Sequence, residues 1–169
     1  PYTTLFRSGV WLYRSYTNKA ELVTVDHEYR PMLRLCLFFI AGFLAVPFFH
    51  QPVLGLLNAL GIVPIAPFSL NPTAPLGVPA LLSASFWGGV WAVIMLLVLR
   101  WQPTQPQPWL KALLFGGIAL TAVALLLVFP LKGMGFDLAK LPGRMLIGFL
   151  VNAAWGVGTL LFARSLFIR

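Results

Sequence analysis

The polar side chains that could do chemistry in this sequence are few, and most stand beside long apolar runs. His50 and Gln51 follow one such run, Asn71 lies in a proline-rich connection, and Asn152 falls near the middle of another run. Histidine can change its charge near neutral pH, and an amide buried without a partner is costly. These four residues are our candidates for interhelical hydrogen bonds or for contacts along a solute pathway. For Asn152, the interhelical hydrogen bond is the simpler interpretation.

The remaining reactive side chains do not complete a catalytic or metal-binding set. Ser83 and Ser85 lie in no nucleophile motif, and no acidic residue is spaced to orient His50 as a base. Cys36 is the only cysteine, which leaves no internal disulfide and no cysteine metal cluster. The interior of each apolar run lacks the Asp, Glu or Lys that proton-coupled transporters carry in the membrane. The sequence therefore predicts a protein that is not an enzyme and has no cofactor or metal.

Four apolar runs predict the fold. The clearest covers 79–99, twenty-one residues without a charged side chain, and about 20 apolar helical residues cross a bilayer core. Runs over about 34–50, 110–130 and 145–165 are comparable, whereas the stretch over about 52–62 is too short to span and predicts an interfacial or re-entrant helix. The chain is 59% hydrophobic and 9% charged, against about 25% charged in soluble domains. We expect an all-α integral membrane protein with four transmembrane helices.

Small residues recur at helical spacing within these runs and predict where the helices meet. Helices in lipid associate through close backbone approach and interhelical hydrogen bonds, since burying leucine against leucine gains little there. The positions that we expect to pack against neighbouring helices are Gly88, Gly89, Gly117, Gly148 and Gly156.

The first 31 residues differ in composition from the rest of the chain. Residues 1–8 correspond to the translated end of a common sequencing adapter, and 9–31 hold three of the four acidic residues. Met32 then opens a new pattern, an arginine followed by an apolar run. We interpret 1–31 as a non-native or disordered N-terminal extension and 32–169 as a single four-helix membrane domain. The alternative is a genuine polar tail near the membrane surface.

Basic residues predict the orientation in the membrane, because positive charge accumulates on the cytoplasmic side. If both termini are cytoplasmic, five basic residues lie inside: Arg34, Arg100, Lys111, Arg164 and Arg169. Three then lie outside: Lys132, Lys140 and Arg144. The long connection over 51–78 contains no lysine or arginine, which favours placing it outside as well. Scattered basic residues of this kind do not predict nucleic-acid binding.

From Met32 onward the chain resembles a group of uncharacterised small bacterial inner-membrane proteins. Four stretches carry the likeness: Ala41-Gly42-Phe43-Leu44 ending in Phe49-His50-Gln51; Pro67-Phe68-Ser69 with Gly77-Val78-Pro79; Phe86-Trp87-Gly88-Gly89; and Gly148-Phe149-Leu150-Val151-Asn152-Ala153-Ala154-Trp155-Gly156. The likeness spans nearly all of 32–169 and none of 1–31. It implies a four-helix protein of the cytoplasmic membrane and no particular activity.

Two functions remain open at this point. The first is a non-enzymatic structural or accessory component of the bacterial inner membrane, working with the lipid bilayer and with a membrane-protein partner. The second is a homo-oligomeric pore or transporter for a small or neutral solute, because four helices alone enclose little space. A pathway of that kind would run near His50, Asn71 and Asn152.

Overall fold

The computed structural model describes the backbone of most of the chain. The described residues are 5–7, 10–12, 19–100, 107–133 and 137–167, with side chains described for 31–100, 107–133 and 137–166. The chain divides into two units, Pro1–Arg34 and Leu35–Arg169. Arg169, used above for orientation, and part of the adapter-like stretch, residues 1–4 and 8, lie outside the described residues.

Within the predicted N-terminal extension, two short strands form an antiparallel hairpin. β1 (Leu5–Arg7) pairs with β2 (Val10–Leu12), with Phe6 opposite Trp11. Helix α1 (Lys19–Ala45) begins in the same stretch.

Among the described residues, four helical segments are long and apolar enough to cross a membrane, which confirms the predicted all-α fold with four spans. In chain order they are span 1 (Pro31–Ala59), span 2 (Ala80–Leu99), span 3 (Pro108–Leu131) and span 4 (Leu141–Leu166). Their lengths of 20 to 29 residues match what a hydrocarbon core of about 30 Å requires. The protein is therefore a multi-pass helical membrane protein.

Span 1 is longer than its predicted 34–50 because the short helix predicted over about 52–62 continues it without a break. α1 runs into a π-helical turn (Val46–His50), and α2 (Gln51–Ala59) follows directly. Pro47 and Pro52 cannot donate the usual backbone hydrogen bonds. The Gln51 N–H instead donates to the Val46 carbonyl, five residues back. Between the two prolines the helix is therefore wider than an α-helix, with one more residue in the hydrogen-bonded turn.

Residues 60–79, which we call the long loop, fold back onto the ends of spans 1 and 2. Within it, β3 (Pro72–Thr73) pairs with β4 (Val78–Pro79), and the Ala74–Pro75 peptide is cis. The loop also closes the start of α3 (Ala80–Leu99), because the Ala80 N–H donates to the Asn71 carbonyl at 2.9 Å. The proline-rich loop is thus an ordered part of the structure.

Spans 3 and 4 pack closely along one another. Span 3 alternates α-helical and π-helical segments: α4 (Pro108–Leu114), a π-helix (Phe115–Leu120), α5 (Thr121–Val123), a second π-helix (Ala124–Val128) and α6 (Phe129–Leu131). Span 4 is the continuous helix α7 (Leu141–Phe167). At their crossing, a Cβ added to Gly156 would overlap the Ala112 carbonyl oxygen, and one added to Gly116 would overlap the Asn152 carbonyl oxygen. Glycine permits this close approach.

Candidate functional site: an intramembrane cavity

A cavity of about 250 Å³ lies inside the membrane domain and is lined by all four spans. Its walls are mainly apolar and aromatic. The lining residues are Val46 and His50 from span 1; Ala84, Trp87, Gly88 and Trp91 from span 2; Leu120, Val123, Ala124 and Val128 from span 3; and Asn152 and Trp155 from span 4. Such a concave, mostly apolar space with a few polar groups is typical of a small-molecule site.

The cavity occupies the half of the bundle nearer the long loop. Its lining residues extend from the middle of the spans, at Leu120 and Asn152, toward the end of span 3 at Val128. The other half of the bundle is filled by a packed cluster of buried residues: Phe38, Ala41, Met95, Leu96, Ala112, Leu160 and Ala163. The cavity is therefore a pocket in one half of the bundle, facing a packed core in the other half.

Spans 2 and 3 both line the cavity and make few close backbone contacts with each other. Close backbone packing joins span 1 to spans 2 and 4, and span 4 to span 3, whereas spans 2 and 3 face each other across the cavity. Trp87 lines the cavity and is 57% exposed on the outer surface of the bundle. The cavity thus reaches the surface that faces lipid.

The π-helical turns position most of the cavity wall on spans 1 and 3. Val46 and His50 begin and end the π-turn of span 1, while Leu120, Ala124 and Val128 belong to the two π-helices of span 3. A π-turn widens the helix and shifts the direction of the side chains that follow, and such turns are frequent at functional sites. The local backbone geometry therefore creates part of the cavity.

The inner wall is a tryptophan that a hydrogen bond holds in place. Trp155 is 1% exposed, and its Nε1 donates to the Gly42 carbonyl oxygen at 3.0 Å. A Cβ added to Gly88 would lie 3.1 Å from that Nε1 and 2.8 Å from the Gly42 oxygen, so only glycine allows spans 1 and 2 to meet there. Since lipid offers no water as an alternative partner, this bond fixes the indole.

Asn152 joins spans 3 and 4 at the edge of the cavity. Its Nδ2 donates to Thr121 Oγ1 at 3.1 Å, and Thr121 is buried. This is the kind of interhelical hydrogen bond that stabilises packing in lipid. Asn152 therefore has a structural contact and also lines the cavity.

His50 lines the same cavity from span 1, which packs beside span 4. Its Nδ1 is buried and has no hydrogen-bond partner among the described residues. Buried polar atoms in native structures nearly always have a partner, so each exception requires an explanation. His50 thus lines the cavity while one of its ring nitrogens stays buried and without a described partner.

The other two candidates lie away from the cavity and hold the long loop. Gln51 is buried, and its Oε1 accepts a hydrogen bond from the Phe68 backbone N–H at 2.8 Å. Asn71 is exposed, and its carbonyl accepts the Ala80 N–H that begins α3. The structure therefore brings together two of the four predicted polar residues, His50 and Asn152.

The predicted packing glycines lie at helix contacts. Gly88, Gly89, Gly117 and Gly156 are buried, and Gly148 is half-buried. A Cβ added to Gly89 would lie 2.7 Å from the Phe39 ring, one added to Gly117 would lie 2.6 Å from the Phe149 ring, and one added to Gly148 would lie 2.7 Å from Thr121 Cγ2. These positions leave room for a neighbouring side chain rather than for one of their own.

The sequence interpretation did not single out the aromatic wall formed by Trp87, Trp91 and Trp155. A signal was present, because Trp87 and Trp91 are four residues apart and so share one helix face. Tryptophan is also common at membrane surfaces, so that spacing alone does not distinguish a pocket from an interface.

No family model, curated protein or solved structure matches this chain. The fold and the cavity together define its class: a small multi-pass helical membrane protein with an intramembrane pocket lined by all four spans.

Proposed function

We propose that this chain is a non-enzymatic component of the bacterial inner membrane that binds a neutral, largely apolar molecule in its cavity. The observation that carries this proposal is a mostly apolar cavity that reaches the exposed surface of the bundle at Trp87 and is closed by a packed core at its other end. A molecule dissolved in the bilayer can enter such a pocket directly. A packed core on one side favours binding over conduction through a single chain.

The cavity wall supports a neutral ligand. Of the described residues that line it, only His50 is titratable, and none is an acid, a lysine or an arginine. Burying an unpaired charge among these apolar side chains would be strongly unfavourable. A volume of about 250 Å³ exceeds the roughly 150 Å³ of an engineered apolar cavity that binds benzene. Binding, rather than acid–base chemistry, is the activity that suits this wall.

Quenching of tryptophan fluorescence tests the binding proposal directly, because three of the six tryptophans line the cavity. The full chain in nanodiscs is titrated with bromobenzene, a neutral quencher. We expect saturable quenching that Ala84→Leu abolishes by filling the cavity. The matched control is Ala122→Leu, because Ala122 is exposed and does not line the cavity. Quenching that is non-saturable or identical in both variants would contradict the proposal.

The proposed orientation places both termini in the cytoplasm. Arg100 follows the end of span 2, Lys111 lies near the start of span 3 and Arg164 lies near the end of span 4, so the up-and-down order of the spans places all three on one side of the bundle. Arg164 stacks over the Trp109 ring at 5.2 Å. Tryptophan and arginine both favour the headgroup region. In a Cys36→Ser background, Ser165→Cys should resist a membrane-impermeant maleimide applied outside, whereas Lys140→Cys should react. The reverse labelling would invert the orientation.

A neutral-solute pore or transporter, formed by oligomers, is the second candidate. It is favoured by the placement of His50 and Asn152 in one cavity. Native mass spectrometry in nanodiscs would give the oligomeric state, and glycerol uptake by proteoliposomes would measure flux. Flux that Ala84→Leu removes would favour this candidate over simple binding. A monomer without flux, which purifies with a partner protein, would favour the accessory function.

A further inference from the structure

We propose that the cavity holds one acyl chain of an anionic phospholipid, whose phosphate lies against Lys132 at the membrane surface. This inference rests on the proposed binding function and specifies the class of the ligand. The chain would enter from the surrounding bilayer past Trp87, which lines the cavity and is 57% exposed on the surface of the bundle. The headgroup would remain outside the cavity.

The first support is the long, narrow shape of the cavity. Its wall on span 2 extends from Ala84 to Trp91, which is about 10 Å along a regular helix. A volume of about 250 Å³, spread over about 10 Å of helix, leaves a mean cross-section of about 25 Å². Since carbon atoms in contact stand about 3.5–4.0 Å apart, a space about 5 Å across admits a single hydrocarbon chain.

The second support is that the cavity wall offers little to a polar headgroup. Asn152 Nδ2 already donates to Thr121, and Trp155 Nε1 donates to a backbone carbonyl oxygen. His50 Nδ1 is buried behind the cavity surface. Most of the remaining wall is aliphatic or aromatic, so moving a polar headgroup into it would be unfavourable. The cavity therefore suits the hydrocarbon part of a lipid.

The third support is a basic residue one helical turn beyond the cavity wall. Val128 lines the cavity, and the exposed Lys132 donates its backbone N–H to the Val128 carbonyl at 3.0 Å. Residues four apart in a helical turn lie on the same side, and Lys132 directly follows the end of span 3. Lys140 and Arg144 add positive charge at this end, where Asp137 is the only acid among the described side chains. An anionic headgroup complements that charge.

Photolabelling tests the position of the acyl chain. The full chain in phosphatidylcholine nanodiscs receives phosphatidylglycerol with a photoreactive diazirine in one acyl chain, and mass spectrometry locates the labelled residues. We expect labels on the wall residues Leu120 and Asn152, and on the exposed Leu126 from lipid around the bundle. Ala84→Leu should remove the wall labels and keep the label on Leu126. The control Ala122→Leu should keep all of them.

A change of headgroup tests the phosphate contact. Phosphatidylcholine with the same diazirine chain should label the wall about fivefold less, the factor that one lysine near an anionic lipid provides. Lys132→Gln should remove this preference for phosphatidylglycerol, and Lys132→Arg should retain it. The matched control is Lys111→Gln, which removes one positive charge near the opposite end of span 3 and should retain the preference.

The outcomes separate this inference from the proposed function. Absence of wall labels from both lipids, with saturable quenching by bromobenzene retained, would overturn the lipid assignment and leave cavity binding intact. Equal wall labelling by the two lipids, or a preference that persists in Lys132→Gln, would overturn the headgroup contact and with it the inference. Absence of both wall labels and saturable quenching would overturn both proposals. Wall labels that Ala84→Leu removes, with a preference that Lys132→Gln removes, would support the inference.

Discussion

Replacing Gly156 with alanine should weaken the packing of span 3 on span 4. The added Cβ would overlap the Ala112 carbonyl oxygen and would lie 3.0 Å from the Ala112 carbonyl carbon and 3.5 Å from Gly116 Cα. All three are backbone atoms, so no side chain can rotate away. The two helices must move apart, and the contacts along their crossing weaken.

The size of the effect follows from two opposing contributions. Overpacking typically costs about 1–3 kcal/mol, and contacts with backbone belong at the upper end of that range. Replacing glycine by alanine within a helix returns about 1 kcal/mol. The net loss in the free energy of unfolding is therefore about 2 kcal/mol, or roughly a thirtyfold change in the unfolding equilibrium.

Gly143 provides a matched control on the same helix. It is exposed, and beyond its own turn of helix no described atom lies within 4 Å of a Cβ added there. Gly143→Ala should therefore leave stability unchanged or raise it by about 0.5–1 kcal/mol. Reversible unfolding in mixed micelles, followed by far-ultraviolet circular dichroism, measures both variants. Equal stability of Gly156→Ala and Gly143→Ala would refute the close helix crossing.

Three further predictions concern single polar side chains. Asn152→Leu should lower the free energy of unfolding by about 1 kcal/mol, because the hydrogen bond to Thr121 is lost; an unchanged value would show that this bond adds nothing. Gln51→Ala should speed backbone amide exchange in the long loop, since the bond to the Phe68 N–H disappears; unchanged exchange would contradict its anchoring role. The hydrogen bond from Lys140 lowers the pKa of Asp137 below its usual value. The lowered pKa stabilises the fold at pH values above the usual pKa of Asp137, and this stabilisation is lost as the pH falls through the lowered pKa. Lys140→Ala should therefore raise the pKa of Asp137 in an NMR titration. An unchanged pKa would exclude the contact.

The apolar runs predicted the four spans well because the bilayer imposes a length and a composition that a sequence displays directly. At glycines such as Gly89 and Gly156, atoms of a neighbouring helix occupy the space of a Cβ, which is the close approach that small residues permit. The boundaries between elements were less predictable. The stretch after Gln51 is apolar and short, and its sequence alone does not reveal that it continues span 1 through a π-turn.

Half of the predicted polar residues share one site, and the reason is geometric. His50 and Asn152 are about a hundred positions apart and meet only because spans 1 and 4 pack side by side. Gln51 adjoins His50 in sequence, yet it contacts the long loop, because neighbouring residues on a helix point in different directions. Sequence position therefore could not separate the two roles.

By itself, the sequence determined that this protein is embedded in lipid, how many times its chain crosses the membrane and where its helices can approach closely. These properties depend on local composition and on helical periodicity, both of which can be read along the chain. Only the tertiary structure decided that spans 2 and 3 stand apart, that three tryptophans share one wall and that His50 Nδ1 lies without a described partner. Those features arise from how four helices pack around one another, which no single segment encodes.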